Sequence, residues 1–147
     1  MNQSTLDDYY RLHFRGNRLY GELAKLLGES SQTLFLARLL LNEEEGICQS
    51  EICESLSVPK QAMSRILKEM INEGKVTESP SPKDGREKIF SLTSNGRQHA
   101  QTVIEQLNSI ENACLDGSAE ELAAVNGFNG RYLDRLQEII EKEKERK

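Results

Sequence analysis

The sequence predicts a mostly α-helical chain carrying one small β-hairpin. Three observations lead there. Apolar residues recur every three or four positions through most of the 147 residues, the spacing that aligns side chains along one helix face. Only three prolines are present, and two of them, Pro80 and Pro82, fall within three residues, so a single special loop interrupts an otherwise helix-compatible chain. Around residues 76 to 92 the period shortens and turn-forming residues cluster, as a hairpin requires.

The first helix follows from Leu12, Leu19, Leu23 and Leu26, an amphipathic stripe ending near Gly28. Ser30 or Ser31 can cap a second helix that carries Leu36, Leu39 and Leu40 and stops in the acidic stretch Glu43 to Gly46. A short third helix spans residues 49–56, with Ile52 and Leu56 one turn apart. Pro59 opens a fourth, 59–73, because the first helical turn tolerates a missing N–H. Its inward residues are Met63, Ile66, Leu67 and Met70, and Gly74 ends it. Residues 76–78 and 88–92 form two strands around the turn-rich loop 79–87, together a hairpin at 76–92. Thr93 caps a long helix in which Ala100, Val103, Leu107, Ile110 and Cys114 recur as a heptad-like seam. Ser118 and Glu121 have capping-box spacing for a last helix carrying Leu122, Val125, Tyr132, Leu136, Ile139 and Ile140. Within it, Asn126-Gly127 and Asn129-Gly130 predict a kink or an interruption.

Composition bounds the function. A 37% hydrophobic, 29% charged chain of this length fits one globular domain over residues 1–147. The apolar stretch Leu34 to Leu41 is broken by Arg38, so no membrane partner is expected, and Asp7 and Asp8 leave no room for a secretory signal. Three cysteines, an odd number, do not make a disulfide framework, which favours a reduced, cytoplasmic protein. His13 and His99 have no partner at a zinc-like spacing, and no phosphate-cradling glycine loop occurs. No metal, no cofactor and no catalytic residue is expected: the chain does not read as an enzyme. The net charge of −5 argues, on bulk arithmetic alone, against a nucleic-acid partner.

A short helix, a three-residue turn, a second helix and then a hairpin is the order of a winged helix-turn-helix. The run from Gln49 through Ser57, Val58 and Pro59 to Arg65 is similar to a helix-turn-helix, and Asp84-Gly85-Arg86 stands six residues before Leu92-Thr93-Ser94-Asn95-Gly96. On these residues the chain resembles the multiple-antibiotic-resistance regulator (MarR) family, and the resemblance spans essentially its whole length. It implies a winged helix-turn-helix plus a terminal-helix dimerisation region: residues 1–28 and 100–147 for dimerisation, and 30–97 for DNA binding. The implied function is a sequence-specific transcriptional regulator, usually a repressor. It would act as a homodimer on a near-palindromic double-stranded DNA operator, with recognition helices about 34 Å apart.

Residue chemistry supports that reading on its own terms. A recognition helix presents its N-terminal residues to base edges, which puts Pro59, Lys60, Gln61, Ser64 and Arg65 forward, with Lys68 one turn on. Gln pairs with adenine and Lys with guanine, so Gln61 and Lys60 are the base-reading candidates, while Ser64 and Arg65 suit phosphates. In the wing, Arg86 would reach the minor groove, with Lys83 and Lys88 on the backbone. The resemblance implies that Asp84 orients Arg86, and Gly85 between them would permit a tight tip. Glu78 stands where the family often has a basic residue, so either a phosphate contact is lost or the carboxylate serves an ion pair within the wing. Residues 60–97 hold eight basic and five acidic side chains, a local charge of +3 that leaves −8 on the remainder. The acidity belongs to the scaffold.

Family members bind small aromatic or anionic effectors between the dimerisation and winged regions; Tyr9, Tyr10, His13, Arg15, Phe35 and Arg38 are candidate lining residues here, with ordinary packing as their default role. Cys48, where the family often has a Ser or Thr cap, would face a helix N-terminus and is a redox candidate. Cys53 suits a small core slot, and Cys114 lies on the seam, where it could meet its mate across a dimer axis. Two alternatives stay open: a thiol-oxidation-responsive regulator of the same fold, and a winged-helix protein-interaction module without DNA binding.

Overall fold

Glycine and serine chemistry sets the first boundary. In a computed structural model that describes residues 3–147, helix α1 (Gln3–Leu26) ends just before Gly28, whose φ of 80° is left-handed. Ser30 then caps α2 (Ser31–Leu41): its hydroxyl accepts from the Thr33 amide, and the Thr33 hydroxyl accepts from the Ser30 amide. Strand β1 (Ile47–Cys48) leads directly into α3 (Gln49–Leu56). A three-residue turn, Ser57 to Pro59, leads to α4 (Lys60–Asn72), the hairpin strands β2 (Val76–Pro80) and β3 (Lys88–Leu92), α5 (Ser94–Leu115) and α6 (Ala119–Glu145). Ser57 makes the turn in the left-handed region, at φ 51°. The chain divides into two units, one ending at Leu107 and the other spanning Asn108–Lys147.

In the first unit, α4 buries the predicted stripe of Met63, Ile66, Leu67 and Met70 against Leu36 and Leu40 of α2, Ile52 of α3, and Val76 and Phe90 of the sheet. Full burial of each such side chain contributes about 1.5–3 kcal/mol, which holds the two helices and the hairpin as one body. A second cluster joins Ala24 of α1 and Leu34 of α2 to Val103, Ile104 and Leu107 of α5. Thus Val103 and Leu107, expected on a dimer seam, belong to the core of their own chain. Of that seam only Ile110 and Cys114 remain exposed.

The sheet is antiparallel in the order β1-β3-β2. β1 was not expected; at two residues, pairing Ile47 with Phe90 and Cys48 with Ile89, it is too short to show a period. β2 runs two residues past Glu78, pairing Ser79 with Ile89 and Pro80 with Lys88. As β2 is an edge strand, the missing N–H of Pro80 removes no ladder bond. Two glycines are sterically required. At Gly46 (φ 91°) a Cβ would collide with Ile89 and stand 2.8 Å from the Phe90 oxygen, and at Gly96 it would overlap the Lys75 carbonyl. The second close approach is held by Thr93, whose amide donates to the Lys75 oxygen (3.0 Å). The Thr93 hydroxyl donates to the Gly74 oxygen (2.6 Å) and accepts from the Gly96 amide (2.9 Å), so Thr93 caps α5 as predicted. Nearby, Glu29, 11% exposed at its side chain, accepts from the Thr33 hydroxyl and pairs with His99 Nε2 at 2.5 Å.

In the second unit, Asp116 and Gly117 turn the chain with positive φ values of 33° and 83°. Ser118 does not make the predicted capping box. Its backbone, at φ −91° and ψ 24°, lies outside the extended region that aims a cap side chain at the helix amides. Nor is α6 interrupted: it is helical from Ala119 to Glu145 straight through both Asn-Gly pairs. A helical glycine costs only about 1 kcal/mol relative to alanine, less than ending the helix would. No α6 residue is buried, and its Leu122, Val125, Phe128, Leu133, Leu136, Ile139 and Ile140 are 41–53% exposed.

Candidate nucleic-acid interface

With the Met63, Ile66, Leu67 and Met70 face committed to the core, helix geometry turns the opposite face of α4 outward. Lys60, Gln61, Ser64, Arg65 and Lys68 are all exposed there. Pro59 is the N-cap residue rather than the first helical residue, at φ −60° and ψ 149°. The structure therefore brings all six helix candidates to one strip, with Lys60 and Gln61 at its N-terminal end.

The wing candidates stand on the β2–β3 hairpin. Ser81 shapes the loop by accepting from the Lys83 and Asp84 amides at 3.2 and 3.3 Å, and the Ser81 amide donates to the Glu87 oxygen. Asp84 does not orient the Arg86 guanidinium, as the resemblance implied. Its carboxylate accepts from the Arg86 backbone amide at 3.1 Å, so it fixes the turn and leaves the arginine side chain projecting into solvent. Gly85 is not in the left-handed region, and a Cβ there would meet open space, so the tip does not require glycine. The question posed by Glu78 has an answer: it pairs with Lys88 Nζ across the hairpin at 3.3 Å. Lys88 is thus partly neutralised, while Lys83 and Arg86 carry the exposed positive charge of the wing.

Between α3, the start of α4 and the wing lies an open groove of about 570 Å³, lined by Lys60, Arg86 and Lys88 together with Gln49, Ser50, Cys53 and Glu87. Sequence reasoning missed the last polar members. Gln49 Nε2 donates to Ser64 Oγ at 2.7 Å and to the Lys60 carbonyl at 3.2 Å. Ser50 Oγ donates to Glu87 Oε1 at 2.8 Å. The available signal was weak: two polar residues opening an eight-residue helix, read only as a helix start. Cys48 is the N-cap of α3 but makes no capping bond, because its thiol lies 3.2 Å from Ser50 Oγ instead. Cys53 packs against the first core cluster, as expected of a small core residue.

The effector candidates stand on two helices, Tyr9, Tyr10, His13 and Arg15 on α1 and Phe35 and Arg38 on α2. Tyr9 and His13 share a face of α1 at a spacing of four, whereas Arg15 is about 200° around the helix from His13. His13 meets Phe14 edge-on and Tyr9 meets Tyr10 edge-on, while Phe35 packs tilted against Tyr20 at 5.6 Å between centroids. Phe35 and Arg38 are half-buried on α2. Among the described residues, no group of three or more His, Cys, Asp or Glu is arranged to hold a metal ion, and no helix is long and apolar enough to cross a membrane.

Comparison with known proteins bears on this arrangement. The MarR family model matches residues 29–87, the stretch from just before the α2 cap to the end of the wing loop. No curated protein matches the sequence. Among solved structures, AbsC, a MarR family transcriptional regulator from Streptomyces coelicolor, is similar with a TM-score of 0.76 at 18% identity over 93% of this chain and 97% of that one. MepR of S. aureus in its DNA complex gives 0.70 at 14% identity, covering 92% and 98%. The PcaV regulator of Streptomyces coelicolor with its natural ligand gives 0.66 at 19%, covering 86% and 89%. At these identities the structural likeness speaks to the fold alone. Taken with the family-model match over residues 29–87, it shows a MarR-like winged helix-turn-helix fold in this chain.

Proposed function

We propose that the protein is a sequence-specific DNA-binding regulator that acts as a homodimer on a near-palindromic operator. We further propose that it represses transcription in the cytoplasm until a small aromatic or anionic effector releases it. The observation that carries this reading is the charge-bearing strip of α4 set beside a wing whose arginine is free to reach outward, on a chain whose remaining residues sum to a net negative charge. Lys60 and Gln61 read bases in the major groove. Ser64, Arg65, Lys68 and Lys83 hold phosphates, and Arg86 enters the minor groove or grips its edge. The dimer is argued from apolar surface: Leu12, Phe14 and Leu19 of α1 and the row on α6 are exposed, more than a monomer in water leaves uncovered. Effector release is argued from the resemblance and from one structurally similar regulator, PcaV, solved with its natural ligand. The residues that would line such a site are the six named above. Regulation, not catalysis, is the proposed role.

Two measurements test it. Sedimentation should give twice the chain mass. Selection from a random duplex pool should recover an inverted repeat with half-sites about one DNA turn apart. A monomer, or a pool without enrichment, refutes the reading and favours a protein-interaction module.

A further inference from the structure

The first two residues of α3 reach in different directions, one toward the recognition helix and one toward the wing. Gln49 donates its side-chain amide to the Lys60 carbonyl and to Ser64 Oγ. A carbonyl oxygen only accepts, so the atom facing Lys60 is the amide nitrogen, and the same nitrogen must donate to Ser64. The Ser64 oxygen is thereby occupied as an acceptor, and its own proton is left for an acceptor outside the protein. Ser50, one residue on, gives its proton to Glu87, the last residue of the wing loop. Both residues line the groove between the two elements that carry the positive side chains.

We propose that Gln49 and Ser50 form a two-sided clamp that sets the gap between recognition helix and wing, with Gln49 also aiming the Ser64 hydroxyl proton at a DNA phosphate. The inference rests on the DNA-binding reading above. Both are positioning residues: Gln49 acts through Lys60 and Ser64, and Ser50 through Glu87 and so through Arg86 beside it. Glu87, an acidic residue at a DNA-facing site, then has a reason to be there, since a carboxylate is the strongest available acceptor for the Ser50 hydroxyl. Without the clamp, helix and wing would remain anchored through their buried faces, but their polar rims would lose a fixed distance. A fixed distance is what simultaneous contact with a major and a minor groove needs.

The test uses the full-length protein and a duplex recovered by selection from a random pool. Gln49→Ala should weaken binding about 3- to 10-fold, the worth of one or two exposed hydrogen bonds, and by a clearly smaller factor when Ser64 is already alanine. Glu87→Gln and Glu87→Ala remove the same charge, but only the second removes the acceptor. The alanine variant should therefore bind about 3-fold more weakly than the glutamine variant. Ser50→Ala should cost a similar factor in the wild type and nothing further beside Glu87→Ala, and Ser50→Thr should restore binding. Footprints should separate the two arms: Ser50→Ala loses minor-groove protection at the wing while guanine N7 protection persists, and Gln49→Ala does the reverse. Additive effects on affinity, equal binding by the two Glu87 variants, or footprints that fade uniformly would overturn the clamp while leaving DNA binding intact. A wild-type protein that enriches no duplex would instead refute the reading on which it rests.

Discussion

Replacing Gly96 with alanine tests how the wing is joined to α5. The added Cβ would stand 2.7 Å from the Lys75 carbonyl carbon and 2.9 Å from its Cα, and closer still to the oxygen. These are backbone atoms at the foot of β2, so relief requires α5 or the strand to move by more than half an ångström. Movement of that size strains the bonds from Thr93 to Gly74 and Lys75. Overpacking of this kind costs about 1–3 kcal/mol, and each weakened hydrogen bond adds about 0.5–1.5 kcal/mol. A total near 3 kcal/mol is expected, a large share of the roughly 5–15 kcal/mol that a domain of this kind has. At about 2–4 °C per kcal/mol, the midpoint of thermal unfolding by circular dichroism should fall by roughly 10 °C, and the urea midpoint should fall with it. Gly130→Ala is the matched control. It is also helical, a Cβ there meets nothing within 4 Å, and its i±4 neighbours are Asn126 and Asp134; alanine should stabilise by about 1 kcal/mol. If Gly96→Ala unfolds within about 0.5 kcal/mol of the wild type, the close approach does not exist in solution and the argument fails.

Other substitutions address single contacts. Ser30→Ala should cost about 1 kcal/mol in urea denaturation because the α2 cap is made, whereas Ser118→Ala should change stability by under about 0.5 kcal/mol because the α6 cap is not. On a selected duplex, Gln61→Ala should relax preference at one base position at a cost of about 1–3 kcal/mol, while Arg86→Ala should weaken all sequences evenly and lower the salt slope by about 1 for each protomer engaged. Equal, sequence-blind losses from both would contradict that division of labour. Glu78→Gln releases Lys88 from an exposed ion pair. Binding should tighten and its salt dependence steepen, with stability changed by less than about 1 kcal/mol. Unchanged binding would mean that Lys88 does not approach DNA.

Much of the fold can be read from the residues because its devices are local. Pro59 and Gly74 bracket the recognition helix, Ser30 and Thr93 cap their helices, and the four apolar residues of α4 repeat at one period. The run from Leu92 to Gly96 records a contact at long range, since only glycine fits against Lys75. What escapes the sequence depends on tertiary partners. Two residues make β1 a strand only because Phe90 and Ile89 lie beside them. Val103 and Leu107 look like a dimer seam until Ala24 and Leu34 cover them. Ser118 has the spacing of a capping box, but a backbone angle decides whether its hydroxyl can serve. At the interface the exposed cations were readable from type and spacing. The roles of Asp84, Glu78, Gln49 and Ser50 were not, because a side chain's hydrogen-bond partner across α3, α4 and the wing leaves no trace in a linear pattern.

In the proposed function, a positive reading head on an acidic scaffold grips the DNA backbone. Its most direct test is the dependence of the binding constant on salt for the selected duplex, measured for the wild type and for a variant carrying Arg65→Ala, Lys83→Ala and Arg86→Ala together. The wild type should give a steep negative slope, with about 0.9 of slope for each phosphate neutralised. The triple variant should give a slope shallower by about three for each protomer engaged. A slope near zero in the wild type, or one that the three substitutions leave unchanged, would contradict the assignment of these side chains to the DNA backbone.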